Sequence, residues 1–393
     1  MRLQSFGFIA LAAAIGLPGG AGAVEPDQLG ARIKTLFATQ GVDIAWATAT
    51  ANGSSVVFNG VTVASGGESI PVGVITLGDV SEEDDGDYLV GTLDMPSYAY
   101  SRDGIDFSVG GVEVTGLLLP SATTTDPMAS SGIFETLEVG KISASKDGKT
   151  AFQLEGLVYE IERGDDGQSL TFSGAAERFS ADLSAAGDPQ SLAMATALGL
   201  ANPTGSFETS GSFSQADGTV TLDQLDFTID NAGTLGLTLD LSGYTPQLVK
   251  AMQELQKNQA TMTDEEKSAQ GLAYLGLMQQ LNFNGASIRY DDNQLAERAL
   301  NLAGGMQNMQ RADFSSMAKM LIPDMLSEYV SPEFAAKVTD EVVKFVDAPK
   351  SLEIRAAPAN PVPFAMIGAG AMMAPKSLPD TLGLTVVANE DAE

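Results

Sequence analysis

Few structures can satisfy the stretch Thr219–Gly243, TVTLDQLDFTIDNAGTLGLTLDLSG. Leu235, Leu237, Leu239 and Leu241 alternate with small or polar residues, the period of two that gives a strand one apolar face. Upstream, Val220 and Leu222 begin the same alternation, its phase slips, and it resumes as Leu225, Phe227 and Ile229. An extra residue near Asp223 and Gln224, a bulge, accounts for the slip. Asn231-Ala232-Gly233 supplies the turn between the two strands. The leucine row is an apolar face that something must cover.

The same texture fills the chain from Val42 to Gly243. Strands are expected at Val56–Val63, Ile70–Val80, Tyr88–Met95, Ile105–Leu119, Ile133–Ser143, Ala151–Glu162 and Ser169–Leu183. Asp-Gly pairs at Asp103-Gly104, Asp147-Gly148, Asp166-Gly167 and Asp217-Gly218 punctuate them. Both residue types tolerate positive φ, so each pair marks a hairpin turn. An antiparallel meander uses so many tight turns most simply.

Helices bracket this β-rich segment. Leu29, Ile33, Leu36 and Phe37 are spaced three and four apart, which predicts an amphipathic helix over Glu25–Gln40 that covers the start of the sheet. A short helix is expected near Ser191–Leu198. After Gly243 the spacing predicts helices over Thr245–Lys257, Thr263–Leu281, Gln294–Met309, Phe314–Val330 (bent or split at Pro323) and Pro332–Phe345. Strands recur at Phe283–Tyr290, Ser351–Ala356 and Leu382–Ala388. The expected fold class is α+β, a large antiparallel β-meander or curved sheet with a helical layer inserted toward the C-terminus. In chain order this gives a β-rich region over 24–243, a mainly helical region with one strand over 244–349, and returning strands with a short acidic tail over 350–393.

The first 23 residues have the pattern of a secretory signal. Arg2 precedes the apolar run Phe6–Leu17, Pro18-Gly19-Gly20 breaks it, and Ala21-Gly22-Ala23 is a small-x-small cleavage site. Export to a bacterial periplasm is expected, with Val24 as the mature N-terminus and secretion as the alternative. Intact mass of the native protein is expected to show a chain beginning at Val24; a chain retaining Met1 would remove the basis for this compartment. No later stretch is apolar and long enough to span a membrane as a helix.

Composition closes off several kinds of chemistry. The chain has no Cys, so its core must hold it without disulfides. It has no His, which removes the usual general base at neutral pH and the commonest metal ligand. A Ser-His-Asp triad is impossible. With 51 Asp and Glu against 21 Lys and Arg, the net charge of −30 repels nucleic acid and anionic lipid. No cofactor and no metal set is implied.

The remaining motifs are weak. Ser316-Met317-Ala318-Lys319 and Ser143-Ala144-Ser145-Lys146 match the S-x-x-K spacing of a serine/lysine hydrolase, but no companion elements are present. Glu82–Asp87, EEDDGD, gathers carboxylates without the ligand spacing of a calcium loop and reads as a solvated turn. Gly368-Ala369-Gly370 lacks the context of a nucleotide fingerprint. Fifteen Met, many in the helical half, read first as core filling and second as an adaptable apolar surface.

The strands VVFNGVTV, IPVGVITLGDV and LGLTLDLSG share a cadence of apolar alternation with Gly and Asp at the ends. In this the chain resembles the AsmA-like periplasmic families of Gram-negative envelopes. That resemblance implies an elongated β-structure around an apolar groove, serving lipids or outer-membrane components. The expectation is a non-enzymatic envelope protein that binds a lipid or an outer-membrane client, with groove residues Leu235, Leu237, Leu239 and Leu241. The alternatives are an adaptor acting through exposed sheet edges and, more remotely, a serine/lysine hydrolase.

Overall fold

A computed structural model describes residues 24–391, apart from 40, 66–67, 122–132, 166, 187, 257–270 and 272. The expected signal segment and the first half of the helix expected over Thr263–Leu281 lie outside the described residues, and residues 273–278 are helical. The chain is sheet-rich α+β: its described strands are antiparallel, and its helices gather toward the C-terminus. It divides into two compact units, Met1–Glu177 and Arg178–Glu393. The division falls within a strand, Ser169–Ala181, rather than at the change from strands to helices.

The first unit opens with the helix Pro26–Thr39. Among the described residues ten strands follow before the boundary strand: β1 (Asp43–Ala45), β2 (Thr48–Asn52), β3 (Ser55–Ser65), β4 (Glu68–Glu82), β5 (Tyr88–Met95), β6 (Tyr98–Arg102), β7 (Ile105–Val109), β8 (Val112–Leu119), β9 (Thr136–Lys146) and β10 (Lys149–Arg163). β3 pairs with β1, β2 and β4, and β4 pairs with β5. β5 then pairs with β8, β8 with β9, and β9 with β10. Burial of one face against the helix holds this unit. Leu29, Ile33 and Leu36 pack with Val56, Phe58, Val61, Leu77, Val90 and Leu119 into one core. The expectation that this helix covers the start of the sheet holds. At its flanks the Arg32 guanidinium donates to the Pro120 carbonyl and lies over the Tyr88 ring, while the Lys34 ammonium lies 4.3 Å from the centre of the Trp46 ring.

The strand expected over Ile105–Leu119 is two strands. β7 and β8 both lie along β9, one after the other, β7 opposite Ile142–Lys146 and β8 opposite Thr136–Val139. The chain steps between these positions at Gly110-Gly111, where Gly110 comes so close to Lys141 that its N–H donates to the Lys141 carbonyl at 2.6 Å. Apolar alternation continues through the break and hides it. Three short strands, β1, β2 and β6, carry too few residues for the period of two to register.

Asp103-Gly104 and Asp147-Gly148 form the expected turns with both residues at positive φ, at Asp217-Gly218 only the glycine is at positive φ, and Asp166 lies outside the described residues. Asp147 and Gly148 have φ of 52° and 75°, and they join β9 to β10 with Lys146 opposite Lys149. A Cβ on Gly148 would meet nothing within 4 Å, so only the backbone resists a side chain there. Gly148→Val is expected to destabilise by about 1–2 kcal/mol, the cost of a β-branched residue in the left-handed region. An unchanged urea midpoint would mean that the turn relaxes without cost.

The second unit contains β12 (Thr204–Ser214), β13 (Thr219–Ile229), β14 (Gly233–Ser242), β15 (Asn282–Asp292), β16 (Ser351–Ala356), β17 (Val362–Pro363) and β18 (Leu384–Ala388), β11 being the boundary strand. From β12 to β16 each strand pairs with the next in sequence, then β16 pairs with β18, and β17 pairs with the start of β15. The bulge falls where the alternation slips: Gln224 lies opposite Ser210 and Leu222 opposite Gly211, leaving Asp223 as the extra residue. Ile229 opposite Gly233 closes the turn, with Asn231 at φ 58°.

Helices Pro189–Ala197, Pro246–Gln256, Leu295–Gln307 and Pro332–Asp347 lie within a few residues of their expected spans. Arg311–Leu326 is one helix with Pro323 inside it, not two. Asp292 accepts from the Gln294 and Ala296 N–H groups and so starts the helix that follows β15. The helix at Phe364–Met373 has no counterpart among the expected elements, because its all-round apolar composition carries no amphipathic spacing. The Ala and Met that surround Gly368 and Gly370 are good helix formers and carry it.

An apolar sheet face as candidate functional site

Directly opposed residues of antiparallel strands share a face. In the second unit the register therefore assembles four apolar rows across β12–β18. The first runs Phe207, Phe227, Leu235, Tyr290, Leu352, Ala388. The second runs Leu237, Ile288, Ile354, Val386. Leu222, Leu239, Ala286, Ala356 and Leu384 form the third, and Phe213, Val220, Leu241 and Phe283 the fourth. Each of the four leucines singled out in the sequence thus stands in a different row, and together they form the β14 spine of the face.

The helices from Thr245 onward follow this spine directly in the chain and would be its nearest cover. None of the four leucines is buried. Leu235 and Ile288 are each 50 % exposed, Ile354 46 % and Phe227 43 %. For contrast, Leu77 and Val90 in the core of the first unit are 0 % exposed. Among the described residues, helical packing on this sheet is concentrated at one end. The helix Pro332–Asp347 packs on β16 and β18, and Phe345 meets the Tyr290 ring edge-on at 6.3 Å between centroids. The Tyr290 hydroxyl is held there 2.8 Å from both the Ala232 carbonyl and the Asp292 carboxylate. Burial, and then the hydrogen bond to Asp292, push this phenol well above the ordinary tyrosine range, so it stays protonated. At the other edge Phe179 stacks on Phe227 at 4.8 Å.

The opposite face of the same strands is polar and satisfied. Thr228 pairs with Thr234, Thr238 with Ser287 and Ser212 with Thr221 through hydroxyls 2.8 Å apart. Arg289 donates to Asp291 and Glu353, and Arg355 to Glu353. Glu353 is buried, and two guanidinium groups offset its desolvation. A sheet built this way is held from its polar side, which leaves the apolar side free to be half open.

Extending the period-two reading beyond β14 would have found the neighbours of the leucine spine. Ala286, Ile288 and Tyr290 alternate in FNGASIRY, and Leu352, Ile354 and Ala356 in SLEIRA. The unseen information was the register that sets Ile288 between Leu237 and Ile354.

The catalytic candidates are not assembled. Ser316 is exposed and donates to the Ala312 carbonyl at 2.8 Å, one turn back on its own helix. Lys319 is exposed as well. Ser143 pairs with the Ser108 hydroxyl at 2.7 Å, and Lys146 stands exposed at the hairpin. The acidic turn Glu82–Asp87 closes on itself, with the Glu83 N–H donating to the Asp87 carbonyl and the Ser121 N–H donating to the buried Asp87 carboxylate. Among the described residues no three acidic side chains gather as a metal set would. The methionines depart from core filling: Met306, Met320, Met325, Met366, Met372 and Met373 are all exposed.

The fold and this face define a sheet-rich α+β protein that presents apolar side chains on one side of its second unit. Residues 226–389 match a family model described only as an uncharacterized protein. The match begins in β13 and ends one residue past β18, so it spans most of the apolar face. A comparison with curated proteins found no match.

Proposed function

We propose that this is an exported, non-enzymatic envelope protein that holds an apolar ligand, a lipid acyl chain, on the face built by β12–β18. Half-exposure of Leu235, Ile288 and Ile354 in adjoining positions is the observation that carries this reading. An apolar face of that extent is costly in water unless something comes to lie on it. Among the described residues no helix is long and apolar enough to cross a membrane, which fits a protein that meets lipid through a surface. In this reading the sheet is a curved meander around a groove, the helices form a layer at its end, and the AsmA-like resemblance extends to function. The test is titration of the purified mature chain with a fluorescent fatty acid. Saturable binding supports the reading. No binding overturns it in favour of an adaptor that works through sheet edges.

A further inference from the structure

The helix Phe364–Met373 is apolar on every side and yet has no buried residue. Met366 is 60 % exposed, Met372 84 % and Met373 85 %. From Pro361 to Pro375 no side chain carries a charge, a hydroxyl or an amide. A helix that is hydrophobic all round is ordinarily buried in protein or in lipid. Among the described residues it joins the sheet through Phe364, whose N–H donates to the Leu281 carbonyl and whose ring meets Phe283 edge-on at 6.4 Å, and its Gly370 side lies against Leu378, which leaves Met366, Met372 and Met373 outermost. Phe283 is the β15 end of the fourth apolar row. The exposed helix therefore continues the apolar face beyond the edge of the sheet.

We infer that Phe364–Met373 is a membrane-docking element that seats in the interface of an uncharged bilayer, at the mouth of the apolar face. This rests on the lipid reading proposed above and adds where the lipid enters. Three observations select a bilayer as the occupant. A helix that docks on protein through one face keeps a polar face for water, whereas Met366, Met372 and Met373 leave this helix apolar on the sides that face solvent. Ten residues of helix are about 15 Å long, half the ~30 Å of a hydrocarbon core, so the element enters one leaflet rather than crossing the bilayer. The net charge of −30 disfavours an anionic surface and leaves a zwitterionic one.

The test is flotation of the full mature chain with phosphatidylcholine vesicles, beside the double variant Met372→Glu/Met373→Glu. Both side chains are far out in solvent, so the variant is expected to fold as the wild type does. Wild type is expected to float with the vesicles, and the variant to lose at least about tenfold in partitioning as two carboxylates resist the interface. Adding phosphatidylglycerol is expected to weaken wild-type binding. Fatty-acid binding in vesicle-free solution is expected to be the same in both proteins, which separates docking from the ligand face itself. Wild type that stays with the soluble fraction, or a variant that floats equally well, overturns the inference. A dimer in sedimentation velocity that the variant dissociates, without vesicle binding, overturns it too and assigns the helix to a second copy of the chain.

Discussion

Phe58→Ala is expected to remove about 3–5 kcal/mol from the first unit, the range for deleting a buried aromatic ring and leaving the cavity. Phe58 is 2 % exposed and lies between the helix Pro26–Thr39 and the sheet, with its ring 4.6 Å from that of Trp46. Leu29, Val56 and Leu77 in the same core are completely buried, which leaves little freedom for collapse into the space. Such a loss is a large part of the ~5–15 kcal/mol that holds a folded domain. Trp46 is the only tryptophan, so its fluorescence during urea unfolding reports on this core. Val57→Ala is the control. Val57 points to the other face of β3, is only half-buried, and is expected to cost about 1 kcal/mol. Equal midpoint shifts for the two variants would contradict a core closed by the N-terminal helix.

The contrast between the two units explains what could be read in the sequence. In the first, the spacing of Leu29, Ile33 and Leu36 identifies the helix, and the strands that follow supply the one face it can cover. Amphipathic helix and alternating strands then have a single partner each, and local pattern suffices. In the second, the same kind of pattern identifies β13, β14, the bulge at Asp223 and the turn at Asn231. It is silent on cover. Alternation in Leu235–Leu241 is the same whether a helix or solvent lies over it, because periodicity records which side is apolar and not what faces that side. The sequence is equally silent on pairing register, so nothing in it marks Ile288 and Ile354 as neighbours of Leu237 although each lies in an alternating strand. The break at Gly110-Gly111 and the helix at Phe364–Met373 show the converse. Two adjacent glycines there end a strand, and a Gly-Ala-Gly here continues a helix, and what surrounds them decides the difference.

Ile288→Asp separates an open face from a covered one with the largest functional effect. Ile288 is 50 % exposed and stands between Leu237 and Ile354 in the second row. A carboxylate at that position keeps much of its water, so the variant is expected to fold with a loss of about 1 kcal/mol or less. An acyl chain lying along the row would strip that water without offering a partner. Unpaired polar burial of this kind costs about 1–3 kcal/mol, and the apolar contact with Ile288 is lost in addition. Fatty-acid affinity is therefore expected to fall by about thirtyfold or more, since each 1.4 kcal/mol is roughly a factor of ten. Leu239→Asp, between Leu222 and Ala286 in the third row, is expected to behave in the same way with a larger loss of stability, because Leu239 is less exposed. Thr385→Asp lies on the polar side of β18, opposite Arg355, and is expected to leave binding unchanged. The opposite pattern is equally definite. If both apolar-face variants unfold while the wild type binds no fatty acid, the face is interior to the folded protein, and Leu235, Leu237, Leu239 and Leu241 serve stability rather than a ligand.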